Sequence, residues 1–548
     1  MPMRRARLLI ATATAAVGLA ATAPAHAQGA TPADPYAVAR EVITSIFSPT
    51  WSVAGHDLWD THATFLEPRL TPQTVPGLVP LWTFATVGDV RATPTVEGND
   101  LYVPDRGGYL YRLDARTGAQ VWRGTLADWT GVPGSWSRSS PAITAKTVVV
   151  SDQMSGTVMA VDKATGALVW KTVVDPNPAA AITASPVVVG GRVLVGVASR
   201  EEDLAATTPG YQLSFRGSIQ ALDLSTGQVL WSFSTVPEGY TGGAVWSSSF
   251  AVDLTRGTLY ADTGNNYSVP PAVNACIAQA GGDLQAQDAC LPADDHIESV
   301  LSLDLLTGQL RWARRLSGGA DTWIASCVAN PPAGIPCPNP HGSDYDFGAA
   351  PNFFTTVVNG QLREAVGAGQ KSGVYWALNP DNGATLWAVQ AGPGGGEGGI
   401  EWSVAVDAQR LYVPITNSDN VAATLVPSRQ IVNGGFWEAL DPATGAILWQ
   451  VPTTGTNPAV PSLGANAFSF VSAANGVMYA GSTSGDMVAL NGADGSVLWQ
   501  FASGGSVVGA PAIVNGRLYW GSGYKGGVGG VAVTTNNKLY AFGLPGAQ

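Results

Sequence analysis

LDARTGAQVW, residues 113–122, decides the fold because it returns along the chain. It recurs as VDKATGALVW (161–170), LDLSTGQVLW (222–231), LDLLTGQLRW (303–312), LNPDNGATLW (378–387), LDPATGAILW (440–449) and LNGADGSVLW (490–499). The Asp-x-x-Thr-Gly core has the chemistry of a turn: Asp bonds backbone two residues on, and Gly takes the positive φ that other residues resist. Ahead of the copies lie segments such as ATPTVEGNDLYVPD (92–105), SSPAITAKTVVVSD (139–152), ASPVVVGGRVLVGV (184–197) and GAPAIVNGRLYWGS (509–522), which read as two alternating strands joined by a tight turn. Each repeat is then a four-stranded unit that cannot bury both faces alone. Such units stack face to face, with one flat indole filling each gap. The pattern predicts an all-β propeller.

An eighth closing Trp, Trp82 in LVPLWTF, lacks preceding strands, while KLYAFGLP (538–545) is a strand without its closing partner. Pairing the two ends completes an eighth blade, so an eight-bladed propeller is expected over residues 75–548. The register tryptophans 82, 122, 170, 231, 312, 387, 449 and 499 are then packing residues between blades. Residues 28–74 are expected to form an N-terminal arm wrapping a propeller edge. The central repeats are the longest, and long loops on a rigid scaffold are where function collects.

The 548 residues include 66 Gly and 37 Pro, with 45% hydrophobic and only 12% charged residues, a globular composition. Twenty-eight basic against 40 acidic residues give a net charge of −12, which repels nucleic acid and anionic lipid. Arg4, Arg5 and Arg7, an apolar run from Leu8 to Ala23, and Ala25-His26-Ala27 form the three zones of a signal peptide, residues 1–27. Loss of its three arginines leaves −15, and no later apolar run is long enough to span a bilayer. A secreted or periplasmic protein is expected. The four cysteines allow three pairings, and proximity favours Cys276 with Cys290 and Cys327 with Cys337.

Several common chemistries are missing. There is no C-x-x-C-H for covalent haem, no zinc-finger spacing, no G-x-S-x-G, no H-E-x-x-H and no Walker A. Gly394-x-Gly396-x-x-Gly399 has the spacing of a dinucleotide fingerprint, but the strand-like IEWSVAV follows where a helix is required.

The Trp-closed repeats, the opening WSVAGHDLWDTH (51–62) and three further segments resemble the PQQ-dependent quinoprotein alcohol dehydrogenases, most of all their polyvinyl-alcohol-oxidising branch. In GGAVWSSSFAVDLTRGTLYADTGNNY (242–267) the resemblance implies that Trp246 lies under the quinone and Asn265 binds the metal. A planar ring suits an aromatic floor, and an amide oxygen is a hard ligand suited to Ca²⁺. In VLVGVASREED (193–203) it implies Glu201 as a metal ligand, with Glu202 beside it. Ser199 and Arg200 stand where the family has Gly and Ala. In HGSDYDFGAAPNFF (341–354) it implies Asp346 as catalytic base, with Asp344 as the alternative base or a metal ligand, and in GQKSGVYWALN (369–379) it makes Lys371 the cation at the quinone oxygen. Arg138 in WSRSSPAI is a candidate for a PQQ carboxylate, since a guanidinium fork suits that group. Trp402 in IEWSVAV is a candidate for the quinone pocket. The family's vicinal disulfide is absent.

The resemblance therefore implies PQQ and Ca²⁺ as cofactors and an alcohol as substrate, secondary alcohols first and polyvinyl alcohol among the candidates. With no haem motif in the sequence, it also implies an external electron acceptor such as a cytochrome c. Insertions around 266–298 and 316–345 are expected to rim the channel mouth. The competing expectation is a non-catalytic scaffold, since outer-membrane assembly propellers share the repeat.

Overall fold

The computed structural model describes residues 49–316, 318–329, 337–526 and 531–546. The expected signal segment and residues 28–48 of the expected arm lie outside them. Eight antiparallel four-stranded meanders follow one another around a ring. The first blade is Thr95–Glu97, Asp100–Pro104, Tyr109–Asp114 and Gln120–Thr125, innermost strand first and Trp-bearing strand outermost. The innermost strands of the second to seventh blades begin at Ala142, Val187, Ala251, Gly348, Ala405 and Val471. The eighth blade is the shared one: Val79–Ala85 pairs antiparallel with Lys538–Gly543, beside Arg517–Ser522 and Ala512–Val514.

The tryptophans join blade to blade. The indole N–H of Trp122 donates to Lys163 O of the next blade (3.2 Å), Trp170 to Leu224 O (2.9 Å) and Trp231 to Leu305 O (3.2 Å), and Trp499 closes the ring on Leu78 O (3.0 Å). The rings of Trp82, Trp122, Trp170, Trp231, Trp312, Trp387 and Trp449 each lie on the turn glycine of the following repeat. Gly308 shows why no other residue serves: it takes φ +69°, and a Cβ there would come within 2.4 Å of Trp231. The turn's Asp is equally fixed. Asp304 Oδ1 accepts from Leu306 N, Thr307 N and Thr307 Oγ1 at 2.9–3.0 Å.

The described part of the arm departs from the expected edge position. Residues 51–64 are almost wholly buried and run past the innermost strands in chain order. Trp51 exchanges both backbone bonds with Val96 (2.8 Å each); Ser52, Leu58, Trp59, Thr61 and His62 carbonyls then accept from Ile143, Val252, Phe353, Val406 and Ala473 N at 2.6–2.9 Å. Glu67 ends the course on Gly516 N of the eighth blade (2.7 Å). An innermost strand has no neighbour toward the axis, so its backbone groups need partners, and a segment carrying Trp51, Val53, Leu58 and Trp59 needs burial. Placing the arm in the channel meets both needs. The disulfides Cys276–Cys290 and Cys327–Cys337 are both formed.

Candidate active site

The N-terminal ends of the innermost strands converge on the axis and line a narrow cavity there. Its lining recurs with the repeat. Arg91, Arg138, Thr183 and Val508 each stand three residues before a strand-entering proline, Pro94, Pro141, Pro186 and Pro511. Trp246 and Ser248 come from the fourth blade, Trp402 from the sixth, Phe470 from the seventh, and Tyr524 from the eighth. Of these, Arg138, Trp246 and Trp402 were expected. Arg91, Thr183 and Tyr524 were not, although Arg91 and Thr183 share the register of Arg138 and could have been found by it.

Trp402 adopts φ +69°, a conformation that bulky side chains avoid. Phe470 stacks on it at 5.5 Å, Phe468 meets it edge-on at 5.1 Å, and Trp246 stands at 85° to it with 6.3 Å between centroids. Arg138 lies over its face, 5.0 Å from the centroid. Its Nε1 is buried with no hydrogen-bond partner among the described residues.

Beside this aromatic wall, three expected residues meet. Asp346 Oδ2 accepts from Trp246 Nε1 (2.7 Å) and Oδ1 from Asn265 N (2.7 Å). Lys371 Nζ donates to Asp344 Oδ2 (3.1 Å), lies 3.9 Å from Asp346 Oδ2 and stands 5.2 Å from the Trp246 centroid. The Lys371 N–H also donates to Asp346 O (2.9 Å), so loop and strand end are fastened together. Gly264 makes room: a Cβ there would sit 2.8 Å from Asp346 Oδ2.

Burial pushes the carboxyls of Asp344 and Asp346 up, with Lys371 opposing the rise. Burial works against the Lys371 charge too, yet Asp344 and Asp346 hold its pKa well above the ordinary lysine value. Two acids not assigned by sequence share this field. Glu401, buried next to Trp402, is pushed up to about 8 by burial; its Cγ and Trp246 Cη2 both lie 3.2 Å from the point where a Cβ on Gly348 would stand. Glu202, half-buried, is also raised to about 8 by burial against the pull of Lys371.

The expected metal ligands are placed less simply. The Asn265 amide donates to Asn266 O (3.0 Å) and Trp323 O (2.7 Å), which turns Oδ1 away from both, and no donor among the described residues reaches it. Glu201 opens the helix Glu201–Thr207, and its Oε1 is taken by Ser214 N (2.8 Å), Phe215 N (3.1 Å), Ser214 Oγ and Tyr211 Oη. Its Oε2 is buried and unpartnered, as is Asp344 Oδ1. No hydrogen bond or ion pair joins Glu201 to Asn265 or Asp344. Among the described residues no three His, Cys, Asp or Glu side chains are grouped as a metal site. Taken singly, Glu201 Oε2, Asn265 Oδ1 and Asp344 Oδ1 are hard oxygens without donors among the described residues, the kind of ligand a hard cation takes.

Sequence reasoning also missed Asp321. Its Oδ2 accepts from Tyr345 N (3.0 Å), between the two acids, and its carbonyl accepts from Asn266 N (3.1 Å). One residue thus ties the Asp344–Asp346 loop to the Asn265 turn.

A family model described as outer membrane protein assembly factor BamB matches residues 79–209 and 435–542. The unmatched stretch between them carries Trp246, Asn265, Asp344, Asp346, Lys371 and Trp402, so blade architecture is what that match reports. A polyvinylalcohol dehydrogenase from a Pseudomonas species is 30% identical over 521 residues, 88% of this chain and 75% of that protein. One from Sphingopyxis sp. strain 113P3 is 30% identical over 529 residues, 88% and 74% respectively. The crystal structure of quinohemoprotein alcohol dehydrogenase from Comamonas testosteroni matches the fold with a TM-score of 0.69 at 20% identity, covering 98% of this chain and 84% of that one. With 88% of its length matched at 30% identity, then, the chain belongs to the quinoprotein alcohol dehydrogenase family, as a member of the polyvinyl alcohol dehydrogenase type.

Proposed function

We propose that the protein is an extracytoplasmic PQQ- and Ca²⁺-dependent dehydrogenase that oxidises secondary alcohols, polyvinyl alcohol among them, and passes electrons to a separate acceptor such as a cytochrome c. The observation that carries this reading is the meeting of Asp344, Asp346 and Lys371 at the edge of Trp246, beside an aromatic cavity lined by the guanidinium groups of Arg91 and Arg138. When bound, the quinone supplies a two-electron acceptor and the cation supplies Lewis acidity.

The chain's own residues do the rest. Trp246 and Trp402 offer ring faces and edges to a planar ligand, and Arg138 offers a fork to a carboxylate. Asp344 Oδ1, Asn265 Oδ1 and Glu201 Oε2 are the oxygens that would hold the cation. Lys371 places positive charge where an oxygen becomes electron-rich. Asp346, oriented by Trp246 and Asn265, accepts the alcohol's hydroxyl proton as general base. Lys371 favours the ionised form of the Asp346 carboxyl that burial pushes toward the protonated one. Two formed disulfides and the signal-like residues 1–27 support an oxidising, extracytoplasmic location.

The test is reconstitution of purified protein with PQQ and Ca²⁺, followed by dye reduction with secondary alcohols, primary alcohols and polyvinyl alcohol. PQQ-dependent turnover of secondary alcohols is expected; fully loaded protein that oxidises none of them refutes the assignment.

A further inference from the structure

We propose that Arg91 joins Arg138 in a two-guanidinium anchor for a planar ligand bearing two carboxylates on one edge, and that this anchor sets which way round the ligand lies in the cavity. Where that ligand is PQQ, the proposal rests on the function proposed above.

Arg91 and Arg138 occupy the same position of consecutive repeats and line the same cavity. Each guanidinium is clamped by aromatic faces: Arg91 Cζ lies 3.7 Å from the Tyr524 centroid and 5.0 Å from that of Trp136, and Arg138 lies over Trp402. A stacked guanidinium is a fixed fork rather than a swinging charge. Neither fork is spent on a carboxylate at hydrogen-bond distance among the described residues, although Arg138 has a side-chain hydrogen bond to Tyr524. Arg91 donates from Nη2 to Lys525 O, its Nε is buried without a partner, and its nearest acid, Asp89, is 4.0 Å away and already accepts from Asn536 N (3.0 Å). No carboxylate among the described residues lies within 4.0 Å of Arg138.

Burial lowers the pKa of Arg91, but only to about 10, and Arg106 and Arg138 add to the cost of its charge. It stays a cation at neutral pH. Arg91 is buried and Arg138 half-buried, with only Asp89 among the described acids at 4.0 Å from the pair, so each guanidinium raises the cost of the other's charge, and an anion placed between them relieves it. One carboxylate satisfies one fork; two adjacent forks call for two.

Past Trp246 and Trp402, which line the cavity, the surroundings have the opposite character. Asp344, Asp346 and Glu401 cluster around the single cation Lys371. A polycarboxylate turned the wrong way would set carboxylate against carboxylate, so its anionic edge faces the first and second blades and its other edge faces Lys371 and Asp346.

The test is quenching of tryptophan fluorescence in the full-length protein freed of cofactor. The probes are quinoline-2,4-dicarboxylate, its uncharged dimethyl ester, and PQQ. Arg91→Gln leaves a neutral amide and removes the charge; Arg91→Lys keeps the charge and removes the fork. The expected result is a Kd for the dicarboxylate at least tenfold higher in R91Q, an intermediate value in R91K, and unchanged ester binding. The same ordering is expected for PQQ. The anchor is overturned if R91Q binds the dicarboxylate within twofold of wild type, if ester binding falls equally, or if wild type does not prefer the diacid. Should the dicarboxylate follow the expected order while PQQ fails to bind any of the proteins, the anchor stands and the cofactor assignment falls. If R91Q does not fold, as read by thermal melting, R91K decides: a diacid Kd equal to wild type overturns the fork argument.

Discussion

At the scale of single residues, the two acids of Asp344-Tyr345-Asp346 are told apart by their partners. Asp346 is held at both oxygens by Trp246 and Asn265, whereas Asp344 keeps one buried oxygen open. Asp346→Asn should therefore lower kcat by roughly 10³-fold while PQQ and Ca²⁺ still bind. Asp344→Asn should instead weaken Ca²⁺, read as a rise in the Ca²⁺ concentration needed for half-maximal activity. The reverse pattern would exchange their roles. Gly264 gives an independent check on placement. Gly264→Ala puts a methyl 2.8 Å from Asp346 Oδ2 at a backbone that tolerates alanine, so kcat should fall at least tenfold with a melting temperature close to wild type. An unchanged kcat would mean that Asp346 need not hold this position.

At the scale of strands and turns, what could be read in advance followed the repeat. The seven turns, five of them Asp-x-x-Thr-Gly and two opening on Asn, their tryptophans and the terminal pairing of Trp82 with residues 538–545 all stood in register, because similar blades demand similar chemistry at the same offsets. The meeting of Asp344, Asp346 and Lys371 was legible through their segments. What escaped was aperiodic: the arm's single bridges carry no pattern, the direction of Glu201 depends on where one short helix begins, and Asp321 acts only through a fold-distant backbone N–H. Glu438, on the sixth blade's strand Phe436–Leu440, is another buried acid that no pattern announced. Its Oε2 accepts from Gln450 Nε2 (2.8 Å), its Oε1 has no partner among the described residues, and burial pushes its pKa up to about 8. Since the unfolded chain titrates near 4.5, the folded state holds the proton more tightly. Its contribution is thus complete below about pH 4.5 and is lost as pH rises through about 8. Glu438→Gln, which keeps an acceptor for Gln450, should match wild-type stability near pH 5 and exceed it by on the order of a few kcal/mol at pH 9, measured by urea unfolding. Parallel pH curves for the two proteins would show that the side chain is solvated.

At the scale of the whole ring, a propeller of blades that touch only their neighbours would behave like a closed chain of weakly coupled units. The axial arm changes that coupling. Between Trp51 and Glu67 it bonds to the first, second, fourth, fifth, sixth, seventh and eighth blades, and Leu58 packs in the same apolar cluster as Val187 and Val189 of the third. Its His62 ring lies 6.3 Å from Phe470, which lines the cavity, so the arm is also the base on which the site is built. Opening any one blade must disturb contacts that the arm makes with the others. Unfolding should accordingly be a single transition, with tryptophan fluorescence and far-ultraviolet circular dichroism giving the same midpoint in urea. Trp51 is fully buried with its indole N–H on Ala54 O, and Trp59 packs edge-on against Phe353 at 5.1 Å. The double variant Trp51→Ala, Trp59→Ala removes both anchors, each worth about 3–5 kcal/mol on its own. If the arm carries the cooperativity, this variant should lose coincidence, with blades melting at separate urea concentrations and cofactor binding failing at the lower one. If both probes still coincide at a merely lower midpoint, the tryptophan contacts between adjacent blades are sufficient to make the ring unfold as one.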